Sequence, residues 1–124
     1  MEDKKTILVV DDLPENIHLL IAILGKDYIV KAAISGEIAL KISRKNPPDL
    51  ILLDIMMPEM DGYQVFEQLK ADLATANIPI VFATGMSENA DQEKGLAMGA
   101  KGYITKPVDP KKVLEMVNAI LFPS

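Results

Sequence analysis

The chain has 124 residues, enough for one domain around a single core, and its 49% apolar and 25% charged residues have the balance of an ordinary globular protein. It has no cysteine, which excludes a disulfide framework and thiolate metal sites and fits a reducing cytoplasm. A net charge of −5 argues against direct binding to nucleic acid or an anionic membrane, no apolar run nears the ~20 residues that span a bilayer, and the short charged start shows no signal peptide.

Two kinds of segment alternate along the chain. An apolar run, Ile7 to Val10, leads into a helical pattern in which Ile17, Leu20, Ile21 and Leu24 recur at i, i+3, i+4 and i+7 before Gly25 stops it. A second run, Tyr28 to Ala33, precedes a helix marked by Ile38 and Ile42 and broken by Asn46-Pro47-Pro48. The third, Leu50 to Leu53, leads to a helix marked by Val65 and Leu69. The fourth, Ile78 to Ala83, leads to a weak helical stretch around Asn89 to Met98 with Gly95 inside it. The fifth, Gly102 to Thr105, is followed by Val113, Val117, Ile120 and Leu121 at helical spacing. The length and Val/Ile content of the runs predict buried strands. Ser35, Asp61, Ser87 and Asp109 each precede a helical pattern, where a short polar side chain caps free N–H groups, and Pro110 takes a first helical position. The expected fold is α/β: five strand–helix units forming a doubly wound, flavodoxin-like parallel sheet in the order 2-1-3-4-5.

The polar residues fall where the apolar runs end. The first strand ends in Asp11-Asp12, the third in Asp54, the fourth in Thr84 and the fifth in Lys106. In a parallel sheet these ends share one edge, and ligands bind there, at the point where strand order reverses. Three converging carboxylates call for a cation, and an oxygen-only donor set favours Mg²⁺ or Mn²⁺ over zinc. Lys106 is expected on the far side of the cleft, adding a positive charge. With a phosphoryl group on Asp54 the site would carry roughly −4, set against about +3 from Mg²⁺ and Lys106. The cleft therefore suits a phosphoryl cradle.

The stretches Ile7-Leu8-Val9-Val10-Asp11-Asp12, Leu52-Leu53-Asp54-Ile55-Met56-Met57-Pro58-Glu59-Met60-Asp61-Gly62 and Tyr103-Ile104-Thr105-Lys106-Pro107 resemble the signatures of response-regulator receiver domains of two-component signalling. The resemblance covers essentially all of residues 1–124, as one receiver domain. It implies that Asp54 takes a phosphoryl group from a phosphohistidine on a sensor histidine kinase or phosphotransfer protein. It implies that Asp12 and Asp54 bind Mg²⁺ with the backbone carbonyl of Met56, and that Asp11 acts largely through bound water. Lys106 would pair with the phosphoryl oxygens, beside a peptide bond before Pro107 that is usually cis, while Thr84 and Tyr103 would act as switch residues. The implied role is a regulatory phosphoacceptor, not an enzyme with an external substrate. It would control an output domain or downstream protein through the fourth helix, fifth strand and fifth helix, a face through which many relatives also dimerise. The opening Asp11-Asp12-Leu13-Pro14-Glu15-Asn16 is similar to receivers placed before cyclic-di-nucleotide enzymes or kinase modules.

Plainer readings stand beside these. Asp12 opens a D-x-x-E capping box, Asp54 could be a turn residue, and Thr84 could be an ordinary strand or cap residue. Lys106 could be a solvated loop lysine and Tyr103 a half-buried strand aromatic. His18 falls off the apolar stripe and is expected on the surface, without a catalytic role. Met56 and Met86 are expected at the cleft's mouth, and Leu19 on a face that could dock a kinase. Two rival functions are weaker. A haloacid-dehalogenase-type hydrolase would carry Asp-x-Asp after the first strand. A flavin-binding module would need a hydroxyl- and glycine-rich loop there, where this chain has Asp11-Asp12-Leu13-Pro14-Glu15.

Overall fold

The alternation seen in the sequence becomes five strands and five helices in strict succession. In order they are β1 (Thr6–Val10), α1 (Pro14–Leu24), β2 (Ile29–Ala33), α2 (Gly36–Lys45), β3 (Leu50–Asp54), α3 (Gly62–Ala71), β4 (Ile80–Thr84), α4 (Asn89–Met98), β5 (Gly102–Thr105) and α5 (Pro110–Leu121). The computed structural model describes residues 4–85 and 89–123, with 89–92 described by backbone alone. The predicted cap Ser87 and the predicted cleft residue Met86 lie outside the described residues. Among those described, no helix is long and apolar enough to cross a membrane.

All strand pairs are parallel, and the sheet order is β2-β1-β3-β4-β5, as the βα alternation predicts. Side chains alternate across the sheet and build two cores. Leu8, Val10, Ile51, Leu53, Ile80 and Phe82 pack on one face with Ala39 and Leu40 of α2 and Val65, Phe66 and Leu69 of α3. Ile7, Val9, Leu50, Leu52, Val81 and Ile104 pack on the other with Ile17, Leu20 and Leu24 of α1 and Val113 and Val117 of α5. The core thus lies in two layers on either side of β1, β3 and β4.

The five runs do not share one environment. Every residue of β3 and β4 is buried, but β2 has only Ala33 buried and leaves Ile29 exposed. The reason is position: β2 is an edge strand, paired only with β1, and its Lys31 suits that rim. The helical stripes shift for a similar reason. Ile21 is 40% exposed, while Ile23 packs on the α1–α5 core. In α2 the buried positions are Gly36, Ala39, Leu40 and Ser43, with Ile42 half-buried and Ile38 exposed.

The described helix ends follow the predicted chemistry, except that the plainer capping-box reading of Asp12 fails. Ser35 caps α2, Asp109 caps α5, and Asp61 forms a reciprocal capping box with Gln64. Asp12 caps nothing: the residue before α1 is Leu13, which makes no side-chain cap. Gly25 ends α1 in a right-handed conformation, its N–H donating to the Ile21 carbonyl, so its freedom for positive φ is unused there.

Gly95, the weak point in the sequence pattern of α4, has a packing reason. A Cβ there would lie 2.8 Å from the ring of Phe82. That ring is fully buried and contacts Tyr63 and Phe66 on α3, so it has little room to yield. Gly95→Ala should therefore lower the urea midpoint, because overpacking costs about 1–3 kcal/mol against the roughly 1 kcal/mol alanine returns in helix propensity. A raised midpoint would show that the ring moves aside.

Candidate functional site

Parallel pairing brings every strand's carboxyl end to one edge of the sheet. The register sets Val10 beside Leu53 and Asp54 beside Ala83, so Asp11, one residue past Val10, arrives next to Asp54. Across β4, the Lys106 N–H donates to the Thr84 carbonyl at 2.7 Å and fixes where the chain leaves β5. The peptide bond between Lys106 and Pro107 is cis.

The lysine does not stand apart on the far side of the cleft. Its Nζ lies 2.7 Å from Asp11 Oδ2 and 3.2 Å from Asp54 Oδ1, bridging two carboxylates that are 2% and 4% exposed. The solvated-lysine reading is thereby set aside, since this ammonium is 18% exposed and doubly paired. Asp11 Oδ1 is also engaged, accepting from the Leu13 N–H at 3.0 Å and from the Asn16 side-chain amide at 3.4 Å.

Asp12 completes a group of three. One oxygen each from Asp11, Asp12 and Asp54 lies within 4.8 Å of the others. One ammonium among three ionised carboxylates leaves two negative charges, which a divalent cation with oxygen ligands would match. Asp54 registers the imbalance. Burial, then the charge of Asp11, raises its pKa from 3.8 to about 6, even though Lys106 pulls the other way. For Lys106 burial acts downward, but its hydrogen bond to Asp11 and the charge of Asp54 outweigh that and raise it.

The other expected residues take a range of positions. Thr84, fully buried, ends β4 directly after Ala83, the partner of Asp54. Tyr103 is half-buried on β5, paired in register with Phe82 and packed against the core shared with α3. Met56, in the loop after β3, has an exposed side chain. His18 is exposed on α1, as expected of a surface histidine, and Leu19 is exposed beside it.

Two residues that sequence patterns gave no site role also belong here. Asn16 is the polar first-turn residue that reaches Asp11. Gly62, directly after the cap Asp61, donates its N–H to the Ile55 carbonyl, and a Cβ on it would lie 2.4 Å from the Asp54 carbonyl oxygen. The start of α3 therefore presses directly on the backbone that carries Asp54.

Comparison with known proteins identifies the family. The sequence model of the response regulator receiver domain matches residues 7–118. The chain belongs to that family. The receiver is 48% identical over 110 residues to a probable cyclic di-GMP phosphodiesterase of Vibrio cholerae, covering 87% of this chain and 25% of that protein. It is 35% identical over 124 residues to the probable transcriptional regulator ycf27 of Guillardia theta, covering 98% and 47%. It thus spans a quarter of the first relative and about half of the second. Among solved structures, the chemotaxis protein CheY4 of Vibrio cholerae superposes with a TM-score of 0.89 at 27% identity, covering 96% of this receiver and all of that chain. The chain is accordingly a receiver of two-component signalling, with an acidic cluster able to hold a metal ion.

Two measurements probe the site. Gly62→Ala places a methyl group against backbone that cannot swing away, and should destabilise the receiver by about 2 kcal/mol or more in urea unfolding. An unaltered midpoint would contradict the tight packing on Asp54. The second concerns pH. Because the folded pKa of Asp54 lies above its unfolded value, the stability tied to its protonated form is complete below pH 3.8 and lost as pH rises through about 6. With a chelator present, Asp54→Asn should match wild type near pH 4 and exceed it at pH 8 by up to about 3 kcal/mol. Equal stability at pH 8 would contradict the buried-charge account.

Proposed function

We propose that Asp54 is the phosphoacceptor of this receiver, and that residues 1–124 act as a single module passing a phosphorylation signal onward. The observation that carries this is the double ion pair of Lys106. An ammonium held between Asp11 and Asp54 Oδ1 stands where it could meet the oxygens of a phosphoryl group arriving on Asp54.

A lone pair on an Asp54 carboxylate oxygen forms the new O–P bond while the P–N bond of a donor phosphohistidine breaks. Its electrons return to the imidazole nitrogen, which takes up a proton from solvent. The carboxylate needs no general base once ionised, and the in-line reaction depends chiefly on positioning and charge neutralisation. Lys106 keeps Asp54 in place before transfer and pairs with the phosphoryl oxygens after it. Asp12 and Asp54, with the Met56 backbone carbonyl, would hold Mg²⁺ or Mn²⁺, Asp11 acting mainly through water. Bound there, the ion supplies the positive charge that Lys106 alone leaves short.

Thr84 is the natural hydroxyl to donate to the phosphoryl group, and Tyr103 the residue that follows it inward. Their movement would favour a second conformation of the surface formed by α4, β5 and α5. The donor is a sensor histidine kinase or phosphotransfer protein, docking near Leu19. The readers are an output domain, a downstream protein, or a second copy of the receiver after phosphorylation. The Vibrio relative makes a cyclic di-nucleotide enzyme a natural kind of output. The lack of cysteine supports a cytoplasmic setting. A phosphoacceptor role, rather than turnover of an external substrate, follows from the carboxylate becoming the product.

Incubation with acetyl phosphate followed by intact mass measurement tests the reading. Wild type should gain the mass of one phosphoryl group only when Mg²⁺ is present, and Asp54→Asn should gain none. A folded, Mg²⁺-binding wild type that gains no mass would leave the receiver as a docking module only.

A further inference from the structure

Asp11 is the hinge of the ion-pair cluster, because its two oxygens serve different partners. Oδ2 meets Lys106 at 2.7 Å, and Oδ1 accepts from the Leu13 N–H at 3.0 Å and the Asn16 amide at 3.4 Å. If the carboxylate rotated about its last bond, Lys106 would lose its shorter contact and its aim at Asp54. What fixes the rotation is therefore part of the machinery.

The first turn of a helix normally offers several backbone N–H groups to a nearby carboxylate. Here Pro14 occupies the first position of α1 and has none to give. The N–H of Asn16 is turned inward, donating to the Leu13 carbonyl at 3.1 Å. The Asn16 side chain, within the first turn, supplies the missing donor to Asp11. It also lies with Leu19, Leu20, Lys106, Pro107 and Val108 around a hollow of about 80 Å³, alongside the lysine whose partner it holds.

We propose that Asn16 is a positioning residue for phosphoryl transfer: its amide fixes the rotation of Asp11, and Asp11 in turn holds Lys106 beside Asp54. With both Asp11 oxygens occupied by protein donors, metal affinity is set mainly by Asp12 and Asp54, and Asn16 governs the rate rather than the binding of the ion. This rests on Asp54 being the phosphoacceptor. Asn16 is only half-buried, so its replacement leaves the core intact.

Two variants test the proposal, each checked by its thermal midpoint. Asn16→Leu keeps the size and removes the donor; Asn16→Asp keeps the shape and sets a like charge against Asp11. The readouts are the rate of phosphorylation by acetyl phosphate at saturating Mg²⁺ and the Mg²⁺ dissociation constant from calorimetry. Losing one such hydrogen bond should slow Asn16→Leu about five-fold while its Mg²⁺ affinity stays within about two-fold of wild type. Asn16→Asp should be slowed at least as much. Unchanged rates in both variants would overturn the proposal. So would parallel losses of rate, Mg²⁺ affinity and thermal midpoint, which mark a merely structural role. A wild type that forms no acyl phosphate would instead overturn the phosphoacceptor reading beneath it.

Discussion

One ammonium between two buried carboxylates is the constraint around which this edge of the sheet is arranged. Lys106 is less than 3.5 Å from both Asp11 and Asp54, and both carboxylates are largely buried. A buried charge is tolerable only when paired and hydrogen-bonded. The cluster meets that condition for Asp11, which takes three donors, but only in part for Asp54, whose pKa stays raised. The receiver thus keeps a partly uncompensated carboxylate within its acidic cluster.

The sheet makes this arrangement durable. Asp11, Asp54 and Thr84 leave adjacent strands whose register is fixed by buried side chains on both faces, so a slip of one residue would turn every side chain into the opposite core and misfit both. The supports come from the loops and helix starts. Leu13 and Asn16 hold Asp11, and Gly62 admits α3 against the backbone of Asp54. The site is thus framed by its strands and by the helix starts that press on them.

Much of this was legible in the residues. Apolar runs of four to six residues alternating with helical spacing specify the five units, and their number specifies the strand order. The polar residues at the strand ends marked the cleft because a parallel sheet has one functional edge. What stayed hidden depends on through-space neighbours. Tyr28 to Ala33 differs from the central runs by Lys31, a charge that suits an edge strand, and the sheet order makes β2 a rim. Ile21 belongs to the i, i+3, i+4, i+7 stripe and Ile23 does not, yet Ile21 is exposed and Ile23 packs against the core. Lys106 lies 95 residues from Asp11, so no local pattern announces their pairing. Asp12 matched a capping box, yet Leu13 took the position before the helix. A polar residue two places after Pro14 was the available signal for Asn16, and spacing alone gives it no partner.

The central claim is that the phosphoryl group goes to Asp54 and to no other carboxylate of the cluster. Borohydride reduces an acyl phosphate on aspartate to the alcohol of homoserine, marking the modified position permanently. After phosphorylation with acetyl phosphate and Mg²⁺, reduction and peptide mass mapping should place homoserine at position 54 alone. Homoserine at position 11 or 12, or at none of the three, would contradict the account.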